Sequence, residues 1–254
     1  MKWPAIASLT YKETIRNRIL INILLFAVAL IGLSLVIGEW SLGEQAKVIK
    51  DFGLSAMSLF GLLIAIFIGI RLMVQELEQK TLYLVASKPV RRWEILFGKF
   101  AGLSMTLLLN VILMLLALWA VDWVIEKRID FQLAAAVVLI YVEILLIVAF
   151  ALFFSSLMSP TLAAVATLAV FIAGHLSPIL RDYVQLRPGT GLKGLYMAIY
   201  YVIPNLENLN LKMAVVEHLE RPPHAVGMGI LYGVLYLSFV LIATCMIFEK
   251  KDLK

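Results

Sequence analysis

Apolar residues fall in long, nearly uninterrupted runs, and the charged residues between them come in short bursts. A run of about 20 apolar residues makes a helix long enough for a hydrocarbon core of roughly 30 Å. The pattern predicts such helices at about 19–38, 53–75, 98–121, 131–155, 160–180 and 226–248. The fourth and fifth come from one stretch, because the chain is apolar almost throughout the fifty residues from Phe131 to Leu180. As a single helix that stretch would reach about 75 Å at 1.5 Å per residue, so it must turn. Ser155-Ser156-Leu157-Met158-Ser159-Pro160 has the chemistry that stops one helix and starts another.

Before the first run, residues 2–18 alternate Trp3, Ile6, Leu9 and Ile15 with Lys12, Glu13, Arg16 and Arg18. This predicts an amphipathic helix in the membrane interface. The run that starts near Ile19 exceeds the roughly 7–15 residues of a signal h-region, which predicts a retained span. Ahead of the sixth run, Leu192, Leu195, Tyr196, Ile199, Tyr200 and Ile203 recur at helical spacing until Pro204. That segment is too short to cross, so it predicts a re-entrant or interfacial helix within a loop spanning 181–225. The fold class is therefore all-α and integral to the membrane, with six transmembrane helices and these two accessory helices.

Composition agrees. The chain of 254 residues is 62% hydrophobic and 15% charged, with a mean hydropathy of +0.95. Soluble domains are roughly 45–50% apolar and about 25% charged. The net charge of +5 would raise nucleic acid as a partner in a soluble protein. Here thirteen of the 22 Lys and Arg residues fall on the side of the two termini, and more densely there. Basic residues concentrate on the cytoplasmic side of membrane proteins. Topology accounts for the charge without nucleic acid and predicts both termini in the cytoplasm. The single cysteine, Cys245, excludes an intrachain disulfide framework.

The charged segment between the second and third runs, Gln75 to Lys99, carries the most information. Leu77, Thr81, Leu84 and Val85 can share one helical face; Ser87-Lys88 breaks the pattern, and Pro89 suits the first turn of a new helix. A helix, a turn and a second helix start would protrude from the membrane, where a partner could push on them. The bland alternative is a solvated, positive-inside loop.

Glu76-x-Glu78-x-x-Thr81, then Ser87-x-Pro89-Val90-x-Arg92, Ile95 and Gly98-Lys99, resembles the coupling region of ABC-2 type permeases. Lys12-Glu13 with Arg16-Asn17-Arg18 is similar to that family's N-terminal interfacial helix, and Phe248-Glu249-Lys250-Lys251-Asp252 to its C-terminal end. The branch with copper-enzyme maturation permeases is the nearest likeness. The resemblance implies one ABC-2 type transmembrane domain over 1–254, in the plasma (inner) membrane. It implies a permease homodimer resting on cytosolic ABC ATPase subunits, with substrate export driven by ATP and Mg bound in that partner. Residues 76–97 would be the docking region, shaped by Glu76, Glu78, Thr81, Pro89, Arg91 and Arg92. This chain lacks a phosphate-cradling loop of its own. Its Gly-Lys pair, Gly98-Lys99, is followed by Phe100 and has no glycine five residues upstream. No cofactor is expected on this chain, and it is not expected to be an enzyme.

Two polar residues lie mid-run. Asn110 is near the middle of the third, Glu143 of the fourth. Central ionisable groups cost several kcal/mol by insertion scales, about 2.5–3.5 for Asp, Lys and Arg. Glu143 should face the bundle or a cavity, or be protonated, and antiparallel spans could bring Asn110 within hydrogen-bond reach. Both a substrate or proton-sensitive site and a simple interhelical hydrogen bond fit. Asn22 and Arg71 lie nearer the ends, where Arg71 can snorkel. His175, His218 and His224 have no ligand spacing, so no metal is expected. Gly98-x-x-x-Gly102 and Gly229-x-x-x-Gly233 permit close helix contact, as in a dimer seam. The competing readings are a stand-alone secondary transporter or channel, which would want more midplane charge, and an intramembrane enzyme, which would want a catalytic cluster.

Overall fold

The computed structural model describes residues 3–41, 44–79, 91–127, 130–186, 203–217, 219 and 224–250. Among these, six helices are long and apolar enough to cross a membrane, and no strand occurs. Helix α1 (Trp3–Ile15) turns at Arg16-Asn17 into α2 (Arg18–Glu39). Asn17 caps α2, its side-chain oxygen accepting the Ile19 N–H at 3.0 Å. Then come α3 (Gln45–Gln79), α4 (Arg92–Glu126), α5 (Gln132–Leu157) and α6 (Pro160–Leu186). A 3-10 turn (Leu206–Leu209), the short α7 (Lys212–Val216) and α8 (Ala225–Lys250) complete the order.

Helices α3 and α5 form the centre; 72% of each apolar stretch is buried, against 22%, 22% and 17% for α2, α6 and α8. The outer three carry exposed large apolar side chains such as Phe26, Val165 and Phe239. A helix apolar all round is what lipid on one side and protein on the other require. The break between α5 and α6 falls at Met158-Ser159, with Pro160 as the first residue of α6. There its missing N–H costs nothing. Ser155 and Ser156 stay helical, their hydroxyls donating to Leu152 O and Phe153 O.

Two helices extend well past their apolar runs. Helix α3 starts at Gln45, not near residue 53, and α4 continues to Glu126 through a stretch expected to be a link. The cause is mutual neutralisation. Lys50 on α3 is 1% exposed and meets Asp122 and Glu126 of α4 and Asp130 before α5, at 3.7, 3.1 and 3.0 Å. Charges that read singly as loop residues are stable in a helix once they face one another.

The buried face of α1 is Ala7, Thr10 and Thr14, while Leu9 is exposed. These small residues seat against α4. A Cβ at Gly98 would come 2.8 Å from Ile6 side-chain atoms, and one at Gly102 only 2.5 Å from the Ala7 carbonyl oxygen. Gly229 and Gly233 likewise close on Leu139 and Val142 of α5. Both glycine pairs thus serve contacts within the chain.

Candidate functional site

Three helices converge on Glu143. It is 1% exposed at the middle of α5. Its Oε1 accepts from the Ser58 hydroxyl of α3 at 3.5 Å and lies 3.5 Å from His175 Nε2 of α6. Its Oε2 has no hydrogen-bond partner. His175 Nδ1 lies 3.2 Å from the Phe171 carbonyl oxygen of its own helix, a contact that needs Nδ1 to be the donor. A neutral ring then presents Nε2 as an acceptor toward the carboxyl group. The pair is attractive only when it holds one further proton, either on the carboxyl or as imidazolium. Ser58, Glu143 and His175 thus meet across α3, α5 and α6 in an arrangement that has room for one shared proton, the proton-holding station of the reading below.

Asn110 does not join it. Its Nδ2 donates to Thr106 O of its own helix at 2.8 Å, and its buried Oδ1 has no partner. Depth is not the reason. Beside α3, Gly53 meets Leu118 and Gly69 meets Leu103 of α4, while Gly61 meets Ile144 and Gly69 meets Ala151 of α5. Asn110 and Glu143 therefore lie at a similar depth, and Asn110 turns its amide to its own helix. The expected Asn110–Glu143 bond is replaced by bonds to Ser58 and His175.

Above Glu143, on the side away from α1, residues 203–217 wedge between α3, α5, α6 and α8. Leu206 and Leu209 are fully buried. Gly174 of α6 makes room for Leu206 and the Pro204 carbonyl, each 2.6–2.8 Å from where a Cβ would stand. Gly233, two turns inside α8, makes room for Val142 and touches Leu209. The irregular backbone is satisfied locally, as burial demands. Asn205 and Asn210 side-chain oxygens accept from the Glu207 and Lys212 N–H groups, and the Asn205 N–H donates to the Tyr232 hydroxyl at 2.8 Å. Pro178, inside α6, removes the bond to Gly174 O, and the Ser177 hydroxyl supplies it at 2.9 Å. The wedge falls within the loop predicted over 181–225, and the glycines at 174, 229 and 233 are the faint sequence signal of its close packing. The predicted helix just before it falls on 187–202, outside the described residues.

The predicted docking residues are placed in part. Glu76 and Glu78 lie on the last turns of α3 and Arg92 begins α4, with their side chains outside the described part, as are Thr81 and Pro89 altogether. Arg91 is exposed, with extended backbone, and is the N-cap of α4. The helix entering the third span thus starts at Arg92, three residues past Pro89, where its first turn was expected. Just inside, Lys99 donates to Leu72 O of α3 at 2.8 Å, and Trp3 of α1 meets Phe97 edge to face at 5.3 Å. The start of α4 is thereby tied to both α3 and α1. Of the histidines, His175 is engaged as above, His224 is exposed before α8 and His218 lies outside the described residues.

The model of the family described as ABC-2 family transporter protein matches residues 5–253. A comparison with curated proteins finds no match.

Proposed function

This chain belongs to the ABC-2 transporter family and is a multi-pass membrane permease; from that premise we propose that it exports substrate from the cytoplasm, driven by ATP hydrolysed on a separate cytosolic subunit. The observation that carries the reading is the family match over nearly the whole chain, on a chain with six crossing helices and no phosphate-cradling loop. In this reading both termini are cytoplasmic, two copies pair in the plasma (inner) membrane, and residues 76–97 dock on the ATPase.

The packing supports a route for force. A push on residues between α3 and α4 reaches α4 at Arg91 and Arg92. From there Lys99 carries it to α3, and Gly98 and Gly102 carry it to α1. Those three helices would tilt as one block against α5. Glu143 and His175 lie where α3, α5 and α6 meet, so a tilt of α3 changes the station's geometry. A stand-alone, proton-coupled transporter is the second reading, favoured by that same proton-holding pair.

Affinity purification from native membranes in mild detergent, with mass spectrometry of co-purifying chains, separates the two. A stoichiometric cytosolic chain with a phosphate-cradling G-x-x-x-x-G-K-[ST] loop is expected. Intact complexes that contain no such chain would rule out the ATP-driven reading and leave the proton-coupled one.

A further inference from the structure

The elbow between α1 and α2 encloses a pocket of about 390 Å³ against the far end of α3, within the roughly 300–1,000 Å³ of ligand sites. Arg16 and Arg18 enter it from the elbow and Arg71 from α3. Among the described residues, none of the three guanidinium groups makes an ion pair or a side-chain hydrogen bond. Among the described residues of the wall, Glu13 is the one carboxylate, so their charges sum to a formal surplus of two positives. Snorkelling explains one arginine near a helix end; it does not bring three from two separate elements around one cavity. The wall also includes Thr14, 2% exposed, whose hydroxyl has no hydrogen-bond partner. The N-terminal turn of α2 adds the positive end of a 22-residue helix. Asn17 and Gln75 add neutral polar groups, and Ile19, Ile68 and Leu72 give the wall an apolar part.

We infer that this elbow pocket binds a phosphate group. Guanidinium donors match phosphate oxygens in bidentate geometry, and the surplus charge favours a net anionic ligand. The apolar wall, at the ends of two crossing helices, suits the glycerol end of a phospholipid headgroup; free phosphate shares the recognising chemistry. The pocket reaches Gln75, next to the docking region, but phosphate binding there needs no ATPase partner.

Native mass spectrometry of the full chain, titrated with phosphatidylglycerol and separately with inorganic phosphate, tests this. Each basic residue near an anionic lipid surface is worth roughly a fivefold change in binding. Arg71→Gln should weaken phosphatidylglycerol by about fivefold, and the triple variant Arg16→Gln, Arg18→Gln, Arg71→Gln by about a hundredfold. Lys12→Gln, on α1 but outside the pocket, should leave binding within about twofold. The arginines are exposed, and gel filtration checks each variant's fold; Arg71→Gln alone suffices if the triple variant aggregates. Phosphate that binds in the wild type and is lost in Arg71→Gln, with lipid indifferent to every variant, would keep the phosphate site and remove the lipid as its source. Equal losses for Lys12→Gln and Arg71→Gln, or no loss in either, would overturn the site.

Discussion

Replacing Lys50 by Met removes the cation that ties α3 to α4 and to the segment just before α5, at the end of the bundle away from α1. Lys50 is 1% exposed, as is the Asp122 side chain, and its carboxylate distances run from 3.0 to 3.7 Å. At an effective dielectric of about 20, each attraction is worth about 5 kcal/mol gross. Desolvation takes back several kcal/mol per ion. What remains after truncation is worse than a lost pair, because Asp122, Glu126 and Asp130 would face one another without the ammonium between them. Removing one partner of a buried pair costs about 3–5 kcal/mol, and Lys50→Met should fall at the upper end. Asp122→Asn should behave oppositely. Asp122 is the most distant of the three and neither of its oxygens has a hydrogen bond. Losing its charge relieves the repulsion among three carboxylates gathered on one ammonium, so stability should hold within about 1 kcal/mol or rise. In the double variant, Asp122→Asn should restore part of what Lys50→Met loses. Equilibrium unfolding in mixed micelles of mild detergent and SDS, followed by tryptophan fluorescence, reads all three. A Lys50→Met variant within about 1 kcal/mol of wild type would refute the reasoning.

Other perturbations test the remaining contacts. Gly102→Leu places a side chain where the Ala7 carbonyl stands; it should cost at least about 1–3 kcal/mol and raise hydrogen exchange across residues 3–15, and unchanged exchange there would mean α1 is not seated on α4. Glu143→Gln reproduces the protonated carboxyl, its amide donating to His175 Nε2. It should leave abundance and stability within about 1 kcal/mol while altering transport, whereas Glu143→Ala should cost about 1–3 kcal/mol for the groups left unpaired; equal transport in Glu143→Gln would make the station purely structural. Glu78→Ala and Arg92→Ala should weaken ATPase coupling at equal membrane abundance, and wild-type coupling in both would remove them from the docking region.

The crossing helices were legible in the sequence because each is a local matter: twenty apolar residues need lipid or protein on every side, whatever their neighbours are. The turn at Ser159-Pro160 was legible for the same reason. Partnership was not. Lys50 looked like a loop residue because its three carboxylates lie about 72 to 80 positions away, and only the approach of α3 to α4 brings them together. Glu143 stood out alone as a charge in an apolar run, but its choice of Ser58 and His175 over Asn110 depends on which faces of α3, α5 and α6 turn together. Helical spacing alone does not set that facing. Spacing flagged both glycine pairs, yet the backbone each admits is known only from packing: α1 at Gly98 and Gly102, the buried wedge and α5 at Gly229 and Gly233. Local hydrophobicity thus determined how many helices cross, and contacts between residues far apart in the chain decided which polar groups meet inside.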